Sequence, residues 1–167
     1  MERHPDGAPA RAILTVVDVA SLLDMFRHAT TPLVRTDFTD DTTWTHIVAS
    51  VTAPLDFEDD LPESGDYAPN ITPVDDKNFQ GLDGEALAGA YDDDLGGYVL
   101  LADSTSMSSP EDLTVVYVDM YDEPGRTFRC AAVEIASIEA NLSIANMAFE
   151  EFADSVGEDG IFRDFDD

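Results

Sequence analysis

FRCAAVEIASIEANLSIANMAFEEFADSVGEDGIFRDF, Phe128–Phe165, is the stretch whose reading decides the fold. Its first residues complete a strand-like run, Thr127–Ala131, that feeds straight into two helical patterns. In the second pattern Phe149, Phe152, Ala153 and Val156 fall at i, i+3, i+4 and i+7, a single apolar stripe. Glu150, Glu151 and Asp154 take the opposite face. The spacing predicts a helix with Asn146 as its N-cap, since the amide oxygen of Asn146 can accept from a free first-turn N–H. Gly157 stands where a left-handed C-cap would end it. The first pattern puts Ile135, Ile138, Leu142 and Ala145 on one side, with Glu134 and Glu139 off it. Two short amphipathic helices need a surface to cover, and the strands upstream are the obvious sheet.

Upstream, Val19, Leu22, Leu23 and Phe26 repeat the helix stripe, with Asp18 as its expected N-cap. Pro32 restarts the chain in extended form, and Leu33–Phe38 reads as a first strand. Thr39 or Asp40 caps the next helix, where Trp44, Ile47, Val48 and Val51 fit the same spacing and Pro54 closes it. Residues 56–70 are acidic and broken by prolines and a glycine, the chemistry of a mobile surface loop. Ile71–Val74 reads as a short strand that Pro73 places at a sheet edge. Asp83 caps a brief helix to Tyr91, with Leu82 and Leu87 spaced as a hydrophobic staple.

Two nearly all-apolar runs follow, Tyr98–Ala102 and Leu113–Val118, the composition of strands covered on both faces. Asp92–Gly97 and the polar run from Asp103 to Asp112 read as turn and loop. Pro124-Gly125 suits a type II turn that makes a hairpin into Thr127–Ala131. The expected fold is α/β: a mixed, partly parallel central sheet of about five strands flanked by helices. Residues 1–17 form a flexible leader in this reading, and 18–167 a single domain.

Asp and Glu number 36 against 8 Lys and Arg, a formal charge of -28. Such a surface lacks the basic footprint that nucleic acid requires, and it disfavours an anionic membrane. No apolar run approaches the ~18 residues of a spanning helix. Cys130 is the only cysteine, so no internal disulfide forms and no thiolate zinc site closes. Without the apolar core of a signal peptide near the N-terminus, the expected location is cytoplasmic.

Several standard sites are missing from the sequence: phosphate-binding and dinucleotide loops, the nucleophile elbow and the paired-histidine zinc motif. The Asp-rich stretches fail as EF-hands. Aligning Gly160 with the invariant glycine puts Ser155 first, and aligning Gly81 puts Leu87 where a bidentate Glu belongs. One constellation survives. Asp37, Asp103 and Asp119 each stand just past an apolar strand, where ligands collect in open α/β sheets. If the three strands are parallel neighbours, these carboxylates meet and offer Mg²⁺ an oxygen site. The competing reading makes them turn formers and helix caps. For Arg35, Arg126 and Arg129, ion pairing with nearby acids is the expectation.

The runs LVRTDFTDDTTW (Leu33–Trp44) and EPGRTFR followed by IEANLSIANMAFEEFADSVGEDGIFRDF, within Glu123–Phe165, resemble an uncharacterised family of small acidic actinobacterial proteins. In that family a strand ending in Arg-Thr-Asp-Phe opens the domain. An Asn-Leu-Ser-x-Ala-Asn-Met segment followed by Phe-Glu-Glu-Phe closes it. Arg35, Thr36, Asp37, Phe38 and Trp44 match the first part, and Asn141–Met147 with Phe149–Phe152 the second. The resemblance spans roughly residues 33 to 165 and implies a domain, not an activity.

Two functional expectations follow. The first is a small acidic binding module, immunity- or inhibitor-like, that engages a basic protein and needs no cofactor. Asp56, Glu58, Asp59 and Asp60 are its expected contact residues, being acidic and free of core duties. The alternative is a small accessory or metal-dependent biosynthetic enzyme that uses the strand-end aspartates with Mg²⁺. The sequence leaves oligomeric state open.

Overall fold

A computed structural model describes residues 16–55, 67–90 and 96–165, apart from the side chains of residues 16–19 and 23. Six strands join in one sheet: β1 (Thr31–Arg35), β2 (Ile71–Val74), β3 (Tyr98–Ala102), β4 (Thr114–Asp119), β5 (Thr127–Ala131) and β6 (Ile161–Phe162). Their order across the sheet is β2-β1-β3-β4-β5-β6. β1 runs parallel to both neighbours, β2 and β3. β4 is antiparallel to β3 and β5, and β6 returns parallel to β5. The sheet is therefore mixed, as the alternating front half and the Pro-Gly hairpin imply. Pro73 lies in edge strand β2, where its missing N–H disturbs no ladder on the open side.

Among the described residues, six α-helices accompany the strands: α1 (Val16–Arg27), α2 (Asp41–Val51), α3 (Gly84–Gly89), α4 (Ser104–Ser108), α5 (Ile135–Ser143) and α6 (Phe149–Ala153). Side-chain alternation divides them between two faces. Leu33, Leu100, Val115, Tyr117, Phe128 and Cys130 point to one face, which α2, α5 and α6 cover with Trp44, Ile47, Ile138 and Phe152. Val34, Val99, Leu101, Val118 and Met120 point to the other, covered by Leu22 of α1 and Leu87 of α3. Both faces of β3 are thus dry, which explains its unbroken apolar run.

Local chemistry sets several boundaries. Asp40 accepts from the N–H groups of Thr42 and Thr43 and opens α2. Asp83 accepts from Ala86 N and opens α3, and Leu82 and Leu87 bury together beside it. Gly84 has no room for a Cβ, which would meet Thr127 Cγ2 at 2.8 Å, so α3 starts hard against the β4–β5 hairpin. Gly125 in the hairpin turn has φ of 91°, which the expected type II turn requires of its third residue.

Some expectations fail locally. Asp18, the expected N-cap of the first helix, falls within α1 as described. The first strand ends at Arg35, not Phe38. The polar run after β3 folds as α4, because Asp103 accepts from Ser106 N while Ser106 Oγ accepts from Asp103 N. Asn146 does not cap α6. Its side chain donates to Asn141 Oδ1 at 2.7 Å, and α6 starts at Phe149 with Glu151 accepting from Ala148 N. Gly157 is no left-handed cap; α6 stops at Ala153, and Gly157 N donates to Ile161 O. Ala145 ends α5 instead of extending it, with φ of 53°. Strand β6 was absent from the expected sheet of five, because two residues carry no periodicity to read. Residues 1–15, 56–66, 91–95 and 166–167 lie outside the described residues.

Candidate functional site

The strand-end aspartates separate into two groups. β1 and β3 are parallel neighbours, so Asp37 and Asp103 follow the same end of the sheet. β4 runs the other way, and Asp119 pairs with Tyr98 at the opposite end. Three carboxylates therefore do not meet, and among the described residues no group of three His, Cys, Asp or Glu is arranged to hold a metal ion. Each aspartate has a local task. Asp37 accepts from the backbone and hydroxyl of Thr39. Asp103 caps α4 and accepts from Arg129 at 2.5 Å. Asp119 is buried and its two oxygens take the N–H groups of Tyr121, Asp122 and Glu123, which folds the hairpin turn around it. For Asp103, burial pushes the carboxyl up, but the hydrogen bonds and charge of Arg129 with those of Ser106 outweigh it and hold the carboxyl below its ordinary value.

At the ends of β1 and β3, where a crevice was expected, the backbone is hydrogen-bonded from strand to strand. Thr36 N and Oγ1 both donate to Ala102 O, and Gly81 N donates to Thr36 O. Arg35, the last residue of β1, is 3% exposed. Its guanidinium pairs with Asp41 at 2.7 Å and Asp75 at 3.5 Å, and lies 4.7 Å from the Phe38 ring and 5.7 Å from the Trp44 ring. The arginines are paired as expected: Arg126 bridges Glu123 and Asp154, and Arg129 meets Asp103.

A groove opens instead at the other end of the sheet. Its cavity of about 600 Å³ lies between the strand start Gly96-Gly97-Tyr98, the hairpin residues Tyr121 and Asp122, and the α5–α6 connection. A smaller cavity of about 170 Å³ adjoins it through Asp122 and Ala148, and adds Asp119, Glu123 and Glu150 to the lining. The α5–α6 wall is shaped by the end of α5. Asn146 N donates to Asn141 O and Ala145 N to Leu142 O, the paired closure that turns a chain sharply out of a helix. Glyless at its left-handed position, this closure keeps Ala145 strained.

The floor of the groove is tied to the core. Tyr98 lies edge-on to Tyr117 at 5.7 Å and is stacked with Phe149 at 6.0 Å. Burial, then the negative charges of Asp119 and Asp122, push the Tyr98 phenol up to about 12. Asp119, Asp122, Glu123, Glu150 and Glu151 give the two cavities an acidic lining. Tyr121 is 62% exposed, yet its ring is seated: a Cβ on Gly96 would lie 2.2 Å from its Cδ2. Gly97 is equally tight on its own side, where a Cβ would lie 2.6 Å from the Phe26 ring. Among the described residues, no Lys, Arg or His lines either cavity. Asp122 has no side-chain hydrogen bond or ion pair among the described residues, and Ile144, beside the wall, is 74% exposed.

Residues 30–165 match the family described as a domain of unknown function, DUF6924. The chain belongs to the DUF6924 family. Comparison with curated proteins and with solved structures gives no match. The DUF6924 match takes in the whole sheet and leaves α1 before it. Both stretches singled out in the sequence fall inside it: Arg35–Trp44 follows the end of β1 into α2, and Asn141–Phe152 builds one wall of the groove and its anchor in the core. Of the described candidates, Asp119 lines the smaller of these two cavities, and Asp37 and Asp103 line neither. The groove residues escaped the sequence reading, which took the Gly96-Gly97 pair for turn chemistry alone. Two glycines beside a fully apolar strand are also the signal of close approach by another group, here Tyr121 and Phe26. Asp56, Glu58, Asp59 and Asp60 lie outside the described residues.

Proposed function

We propose that this DUF6924 domain is a non-catalytic binding module that receives a basic segment of a partner protein in the groove at the start of β3. The observation that carries the reading is the lining: among the described residues, every titratable side chain in it is an acid or a tyrosine. Its volume falls within the ~300–1,000 Å³ range of ordinary ligand sites, enough for one or two partner side chains. The net charge of -28 supports fast, salt-dependent capture of a cationic surface. Exposed Tyr121 and Ile144 supply the apolar contacts that such an interface needs at its centre. Occlusion of a basic protein by this surface is how an immunity protein or inhibitor would act. The acidic segment Asp56–Asp60 is a second contact in this proposal.

The test uses the full chain as bait in an extract of its own source cells, at low and at high salt. A double variant, Asp122→Asn with Glu151→Gln, serves as comparison. The expected result is one basic protein retained by the wild type at low salt and lost by the variant, with an association rate that falls steeply as salt rises. Retention of no basic protein, or equal retention by the variant, overturns the reading. Neutralising Asp56, Glu58, Asp59 and Asp60 together should slow association without unfolding the domain.

A further inference from the structure

The feature of the groove that the acidity alone does not explain is Tyr121. A tyrosine 62% exposed to solvent ordinarily swings freely, yet the ring of this one lies so close to the Gly96 backbone that even a methyl group there would collide with it. Its foundation is firm as well, because the preceding turn is folded about the buried carboxylate of Asp119, which accepts from Tyr121 N at 2.7 Å. A fixed, exposed aromatic face beside the unpaired carboxylate of Asp122 is a platform for a flat cation. On the far wall, Glu151 adds a second carboxylate, of which one oxygen is committed to Ala148 N. Guanidinium suits this arrangement better than ammonium. It is planar, stacks on an aromatic ring and still presents N–H groups in its own plane to carboxylates, whereas an ammonium is a compact, strongly hydrated point charge.

We infer that the groove is an arginine socket, in which a guanidinium stacks on Tyr121 and donates to Asp122 and Glu151. The inference rests on the binding-module reading above and names the residue of the partner that it would recognise. Tyr121 and Asp122 contact the guanidinium; Gly96 is a positioning residue that acts through the Tyr121 ring.

The probes are blocked tripeptides, Gly-Arg-Gly, Gly-Lys-Gly and the uncharged Gly-citrulline-Gly, titrated into ¹⁵N-labelled full chain at low salt. The expected result is saturable movement of the amide signals of residues 96–98, 121–122 and 145–151. Arginine should bind about 2- to 5-fold more tightly than lysine, the difference that a solvent-exposed cation–π contact supports, and citrulline should give no saturation. Tyr121→Phe should keep the preference, Tyr121→Ala should erase it, and Gly96→Ala should weaken it by displacing the ring while the rest of the spectrum stays in place. Equal binding of arginine and lysine at the groove, with both lost in the Asp122→Asn, Glu151→Gln variant, overturns the arginine socket and leaves the general binding reading standing. Scattered, unsaturable shifts for all cations overturn both.

Discussion

Replacing Phe152 with Ala should remove more stability than any other single truncation in the C-terminal third. Phe152 is 1% exposed, and its ring centroid lies 5.3 Å from Phe165, 5.4 Å from Phe162 and 6.3 Å from Phe128. Helix α6 has only five residues, Phe149–Ala153, far too few to stand without tertiary contacts. Phe149 and Phe152 are its two buried residues, so truncating one removes half of its attachment. The two-residue strand β6 holds to the sheet through Phe162, which leans on the same ring. A buried Phe→Ala change costs about 3–5 kcal/mol, and the upper half of that range is expected here because α6 and β6 loosen together. For a domain of this size the loss corresponds to a fall in Tm of about 10 °C. Urea unfolding at moderate salt, followed by the fluorescence of the single Trp44, reads the effect directly, since Trp44 is buried in the same cluster. Tyr121→Ala is the control and should change stability by less than about 0.5 kcal/mol, as an exposed side chain does. A loss below about 1 kcal/mol for Phe152→Ala would refute the view that this ring ties α6 and β6 to the sheet.

Four further outcomes are expected. Ala145→Gly should stabilise the fold by about 0.5–1 kcal/mol in the same urea assay, because φ of 53° strains alanine and suits glycine. Glu139 is buried and held by Tyr117 Oη at 2.7 Å and Thr31 Oγ1 at 3.1 Å; burial dominates and raises its carboxyl above the ordinary value, with the two hydrogen bonds opposing. The unfolded chain therefore releases this proton first as pH rises, so wild-type stability relative to Glu139→Gln should fall from about pH 4 upward and level off once Glu139 itself ionises; a rise over that window would reverse the argument. Added NaCl should raise the urea midpoint of the wild type by screening like charges that lie within a Debye length of ~8 Å at physiological salt; a midpoint lowered by salt would contradict it. Calorimetric titration with Mg²⁺ should give the same curve for wild type and Asp103→Asn, since Asp103 is engaged by Arg129 and Asp119 lies at the other end of the sheet; a site lost in the variant would restore the shared-cation reading.

Much of the fold is legible in one dimension because its causes are local. The stripe Trp44, Ile47, Val51 marks the buried face of α2, and the apolar runs at Tyr98 and Thr114 mark strands dry on both sides. Asp40, Asp83 and Gly125 announce their caps and turn through side-chain reach and backbone freedom that depend on a few neighbours. The membership of Arg35, Arg126 and Arg129 in ion pairs follows from simple scarcity of cations beside 36 acids.

What tertiary structure alone decided is direction and register. Whether β4 runs with β3 or against it leaves no mark on its composition, yet that choice sends Asp119 to one end of the sheet and Asp37 with Asp103 to the other. The reading of three converging aspartates depended on it. The groove is a product of the same kind: Gly96, Tyr121 and Glu151 are far apart in sequence, and each taken singly is a turn residue, an exposed aromatic and a helix-face acid. Only packing, which lays the hairpin turn on the glycine pair and the α5–α6 connection across from both, gives those three residues a common surface.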